Sequence, residues 1–161
     1  MLNPIDTAAV LRDGRATGIH PVQIHEGVAW WLGACLVVTQ KAPRVAVAHD
    51  GDPVSTEYAA MFARGATNAQ HYRCHVTVVV APVTESELLD IARGLGQAPS
   101  AYITNRSGEV SMALFDAEGK PLTEESGIAA IRKLIDEDHV PLPVNDAARG
   151  VIIEYRKEDA H

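Results

Sequence analysis

Cysteine is scarce, basic residues are outnumbered and apolar runs are short, and each shortage removes a class of protein. Only Cys35 and Cys74 occur among 161 residues, too few for the disulfide framework of a small secreted scaffold, and both lie in apolar surroundings. Fourteen Lys and Arg against twenty-one Asp and Glu give a formal charge of −7. That balance repels phosphate backbones and anionic lipid, and no local basic patch overrides it. The longest apolar run, Val28 to Val38, falls short of the ~18–20 residues needed to cross a bilayer. Met1 to Asp13 lacks the cationic start and apolar stretch of a secretory leader. The expectation is a cytoplasmic protein with no nucleic-acid partner and no membrane partner. Neither a Gly-x-x-x-x-Gly-Lys-Ser/Thr loop nor a Gly-x-Gly-x-x-Gly turn is present, so nucleotide and dinucleotide readings lose their usual support. No long-period repeat and no low-complexity tract occurs.

What is present suits one ordinary globular domain: 47% of residues are hydrophobic and 22% charged, enough to enclose a core. After a polar lead, Ile24, Val28, Trp31, Leu32, Cys35 and Leu36 recur at spacings of three and four, predicting an amphipathic helix from about Val22 to Gln40. One of Trp30 and Trp31 belongs in the core and the other at a partly exposed surface, a hint of self-association. Val45 to Ala48 reads as a strand buried on both faces, followed by the turn His49-Asp50-Gly51-Asp52-Pro53. Ser55 is the expected N-cap of a second helix carrying Ala59, Phe62, Ala63 and Ala66 on one face. His75 to Val80 is a strand. Thr84 caps a third helix over Glu85 to Gly94.

Ala101 to Thr104 and Met112 to Phe115 read as two short strands separated by a loop, Asn105 to Ser111, with the turn Asp116 to Gly119 after the second. Thr123 caps a fourth helix, Glu124 to Asp136, and 150–155 reads as a last strand. The order predicts a three-layer α/β/α sandwich with a mixed sheet covered on both faces. Residues 1–15 are expected to be a flexible lead, 16–139 the domain, and 140–161 a C-terminal extension.

Function in such a sheet belongs to the loops at the strand ends. Thr104 to Ser111 offers hydroxyls and a guanidinium, from which a nucleophile and an anion site can be built, but it also has the composition of a plain hairpin. His49, Asp50 and Asp52 supply too few spaced oxygens for a hard cation, so no metal site is expected. His71-Tyr72-Arg73-Cys74-His75 has a spacing seen in zinc and haem segments, without the second ligand pair or second cysteine. Capping and packing account for it better.

The stretch Val45-Ala46-Val47-Ala48-His49-Asp50-Gly51-Asp52-Pro53-Val54-Ser55 resembles the V-A-V-G-R-D-G-R-x-S strand and turn in the first domain of the α-D-phosphohexomutases, the phosphoglucomutase and phosphomannomutase enzymes. Tyr102-Ile103-Thr104, with Ala113-Leu114-Phe115-Asp116-Ala117-Glu118-Gly119-Lys120-Pro121-Leu122, is similar to the stretch around that family's Thr-Ala-Ser-His-Asn-Pro loop. The likeness runs from about Ala16 to Asp138. It implies a phosphohexomutase first-domain fold, a hexose phosphate ligand, and a serine that carries a phosphoryl group beside a Mg²⁺ held by a second domain. Here Arg106 falls where that serine would be, Ser107 is one position late, and the His-Asn-Pro that follows is absent. The family lysine after the loop is replaced by Ala113, and the arginines of the strand turn are His49 and Asp52. Each change removes positive charge or a proton relay that phosphoryl transfer uses.

The expectation is therefore a stand-alone, catalytically inactive domain that self-associates or docks on a protein partner, with no cofactor of its own. Two alternatives stand beside it. In one, Ser107 is the phosphoryl carrier of a split phosphohexomutase, Arg106 anchors phosphate, and Mg²⁺ comes with a metal-binding partner domain. In the other, Thr104, Asn105, Arg106, Ser107 and His49 bind a hexose phosphate without reacting.

Overall fold

The computed structural model describes residues 11–12, 14–68, 74–136 and 150–156. Among these residues seven strands form one mixed sheet: β1 (Leu11–Arg12), β2 (Arg15–Ile19), β3 (Arg44–His49), β4 (His75–Val79), β5 (Ser100–Arg106), β6 (Glu109–Phe115) and β7 (Val151–Tyr155). Their order is β1-β2-β6-β5-β3-β4-β7. From β5 to β7 neighbouring strands run parallel, and from β5 to β1 they run antiparallel. The helices are α1 (Glu26–Gln40), α2 (Pro53–Thr67), α3 (Glu85–Gly94) and α4 (Ala129–Asp136), the last entered through a π-helical turn, Glu124–Ile128.

Strand alternation sorts the core into two layers. Val45, Val47, Ala101, Ile103, Val110 and Met112 join α1, α2 and α4 in the main cluster, whereas Ala46, Ala48 and Val79 pack with Leu88 and Ala92 of α3. The layers are thus α1, α2 and α4, then the sheet, then α3. Helices α1 and α2 touch backbone to backbone at glycines. A Cβ added at Gly33 would lie 2.1 Å from the Phe62 carbonyl oxygen, and one at Gly65 would lie 1.9 Å from that of Trp30. Trp31 is buried and Trp30 only partly so, as the helix pattern predicted.

Several local expectations need correction. The sheet begins earlier than expected: Leu11, Arg12 and Arg15, assigned to the flexible lead, pair in β1 and β2, and Arg132 of α4 donates to the Leu11 carbonyl at 2.9 Å. Helix α1 starts at Glu26, not Val22, because the His25 ring accepts from Gly27 N at 3.0 Å and caps it there. Asp52, rather than Ser55, caps α2: its carboxylate accepts from Val54 N at 2.8 Å and Pro53 occupies the first helical position, where a missing N–H costs nothing. Ser55 lies inside the helix, buried, with its hydroxyl unpartnered. Thr84 and Thr123 both cap as expected, each in a reciprocal capping box.

The sheet is also less covered than expected. Helix α3 packs on β3 and β5, while the same face of β2 and β6 carries Arg15, Thr17, Glu109 and Ser111, all exposed or half-exposed. The strand at 150–155 forms as β7 beside β4. Cys74 is buried and His75 exposed, and the rest of the His71 to His75 segment lies outside the described residues.

Candidate functional site

The expected loop Asn105 to Ser111 is a tight hairpin. Strands β5 and β6 pair through Arg106 and Glu109, leaving only Ser107 and Gly108 as the turn. Their φ values are 54° and 90°, both positive, as the two-residue turns that match strand twist require. Glycine takes this backbone freely, whereas Ser107 carries a Cβ into the left-handed region. Its side chain is exposed.

Asn105 holds the turn. Its Oδ1 accepts from Gly108 N at 3.0 Å, its Nδ2 donates to Asp52 Oδ1 at 3.0 Å, and its backbone N donates to Asp50 Oδ2 at 2.9 Å. The other Asp50 oxygen accepts from Asp52 N at 3.0 Å. The carboxylates after β3 are therefore engaged in joining two strand ends. The Asn105 amide, then the Val54 N–H, hold the Asp52 carboxyl below its usual pKa. Among the described residues, no three His, Cys, Asp or Glu side chains gather in a metal-holding group, and the oxygens of this turn already accept from the chain's own amides.

His49 is buried at the base of the same turn, and its Nδ1 accepts from Gly51 N at 3.1 Å. In the neutral ring the proton then sits on Nε2. Burial lowers the His49 pKa, with the Asp50 carboxylate opposing the shift. The proposed ligand residues do not form one constellation. His49 pairs with Ile103 in the parallel register, so it shares a sheet face with Ile103 and Asn105, the face covered by α1 and α2. Thr104 and Arg106 point to the other face, and Ser107 sits at the tip.

That other face holds what the strand-end reading missed. A cleft of about 430 Å³ opens over the antiparallel strands. Arg15 and Thr17 of β2, Glu109 and Ser111 of β6, and Thr104 and Arg106 of β5 form its floor, and Tyr102 with Thr84 and Glu85 at the start of α3 form a wall. The Tyr102 hydroxyl donates to the Val83 carbonyl at 2.7 Å, fixing the ring. Burial raises its pKa, as do the charges of Asp50, Glu85 and Glu87. The signal in the sequence was polar alternation, Arg15-Ala16-Thr17 and Glu109-Val110-Ser111-Met112, the mark of a sheet half covered and half wet.

No family profile matches the chain, and no curated protein sequence matches it. Solved structures do. One from Thermus thermophilus, assigned as a phosphomannomutase, superposes with a TM-score of 0.70 at 19% identity over 97% of this chain. At that identity the likeness is one of fold, shared with part of that structure. A phosphoglucomutase/phosphomannomutase family protein from Burkholderia thailandensis gives a TM-score of 0.67 at 15% identity, again over 97% of this chain. The chain spans about a third of each, 34% and 33%. The architecture expected from the residue resemblance is thus present. No helix among the described residues is long and apolar enough to cross a membrane.

Proposed function

We propose that this chain is a non-catalytic, mutase-like domain that works by association, joining a second copy of itself through β7. The observation that carries the reading is the exposure of Val151, Ile152 and Ile153, at 52%, 45% and 43%, on β7, the edge strand of the sheet among the described residues. An apolar edge strand presents unpaired backbone donors and acceptors together with hydrophobic side chains, a template for pairing with another strand. A protein partner with an exposed strand would use the same edge.

The turn supports the non-catalytic part. Phosphoryl transfer needs positioning, charge neutralisation and a proton relay; Ser107 stands between Arg106, a cation with no proton to exchange, and Gly108, and Asn105 is committed to holding the turn. His49, expected among the ligand-binding residues, is buried with its Nδ1 engaged. Phosphoryl transfer from hexose phosphates, as the names of the solved neighbours suggest, would require residues that this turn does not supply.

Sedimentation velocity of the chain and of Ile153→Lys tests the association. The expected result is a dimer that the lysine converts to monomer, because a charge on an edge blocks strand pairing. A clean monomer at tens of micromolar for both proteins overturns it.

A further inference from the structure

We propose that the open face of β2, β6 and β5 is a binding site for a neutral saccharide. The inference is independent of the association through β7, since the cleft lies at the opposite half of the sheet. Its volume of about 430 Å³ falls in the range of small-ligand pockets, about 300–1,000 Å³, and it is concave because the start of α3 and the fixed Tyr102 ring stand beside the strands.

Register arranges the floor in rows. Thr17, Ser111 and Thr104 occupy one cross-strand row, with neighbouring strands about 4.8 Å apart. Thr17 Oγ1 and Ser111 Oγ lie 3.3 Å from one another. Each hydroxyl both donates and accepts, so the row matches a ligand whose own groups do both. The rows on either side bring charge in balance. Arg106 faces Glu109 across β5 and β6, and Arg15 lies in the row of Tyr102, beside which Glu85 begins α3. Among the described residues none of these four is in an ion pair, so guanidinium donors and carboxylate acceptors both remain for a ligand.

Two cations against two carboxylates leave the lining without net charge, in a chain whose own charge is −7. An anion would gain from either arginine and be repelled by the adjacent glutamate, whereas a neutral polyhydroxylated ring uses donors and acceptors alike. The Tyr102 ring adds apolar surface for the C–H face of such a ring.

The test is a titration of the full ¹⁵N-labelled chain with D-glucose, D-galactose and maltotriose, with inorganic phosphate and glycylglycine as parallel arms, read by amide shifts. The expected result is a saturable shift at Thr17, Thr104 and Ser111 with at least one sugar, weakened about tenfold or more in Ser111→Val as one ligand hydrogen bond is lost. Should Ser111→Val fail to fold, Thr104→Val reads the same row from the neighbouring strand. The proposal is overturned if no sugar gives a saturable shift, if phosphate or the dipeptide alone does so, or if sugar binding is unchanged in the folded variants. The oligomeric state is read separately, so failure here leaves the β7 proposal standing.

Discussion

The two halves of the sheet are held by different physics. The parallel half, β5-β3-β4, is lined by small and branched apolar side chains and sandwiched between α2 and α3, with Ala46, Val47 and Ala48 fully buried. The antiparallel half, β2-β6-β5, is apolar toward α1 and polar toward water. It is aligned by a turn and by Asn105 as well as by packing. Parallel sheets are as a rule covered on both faces, as β5-β3-β4 is here and the edge strand β7 is not, whereas antiparallel ones can leave one wet. The first half is therefore constrained on both faces, and the second only on the face toward the helices.

If that division is right, damage to the covered half should cost most. Phe62→Ala empties a fully buried position between α1, α2 and the sheet and is expected to destabilise by about 3–5 kcal/mol in a denaturant titration. Gly65→Ala forces α2 away from the Trp30 carbonyl, with an expected cost of about 1–3 kcal/mol. A loss below about 0.5 kcal/mol there, the range of an ordinary surface change, would show that the helices are not in backbone contact.

The open half should respond less, and to turn chemistry. Asn105→Ala removes the acceptor of Gly108 N and the amide beside Asp52. The expected loss is about 1 kcal/mol, with the Asp52 pKa rising toward its usual value by NMR titration. Ser107→Asn should leave stability unchanged or raise it by up to about 1 kcal/mol, since asparagine tolerates positive φ better than serine. Marked destabilisation by that change would mean the serine hydroxyl has a structural task.

The smallest effect sits at the seam. His49 has a lowered folded-state pKa, so the unfolded chain binds its proton more readily. Its contribution to stability is complete above the unfolded value of about 6.5 and is lost as pH falls through the folded one. Thermal melts between neutral and mildly acidic pH should show this decline, and His49→Gln should flatten it.

Much of the covered half was legible in the sequence. Val45 to Ala48 is an unbroken apolar run, Thr84 and Thr123 precede helices with a bonding side chain three residues on, and Gly94 and Gly96 close α3. The open half was harder to read because its strands are only half apolar. Arg15-Ala16-Thr17-Gly18-Ile19 alternates too weakly to stand out, though Asp13-Gly14 before it is a hairpin signal. Ser107-Gly108 is another, obscured because the polar residues on either side read as loop when they are the wet face of paired strands. Asp52 and Ser55 both offer a capping oxygen before the same helix, so the sequence alone does not choose between them, and Pro53 at the first helical position favours Asp52. The five candidate site residues were adjacent in sequence or in the aligned turns, but the period of two along β5 sends neighbours to opposite faces.

The central proposal is that Ser107, in a two-residue turn held by Asn105, carries no phosphoryl group. Intact-mass analysis of the chain after incubation with a hexose bisphosphate and Mg²⁺ tests it most directly. The account predicts an unchanged mass, and a phosphoserine at Ser107 would contradict it.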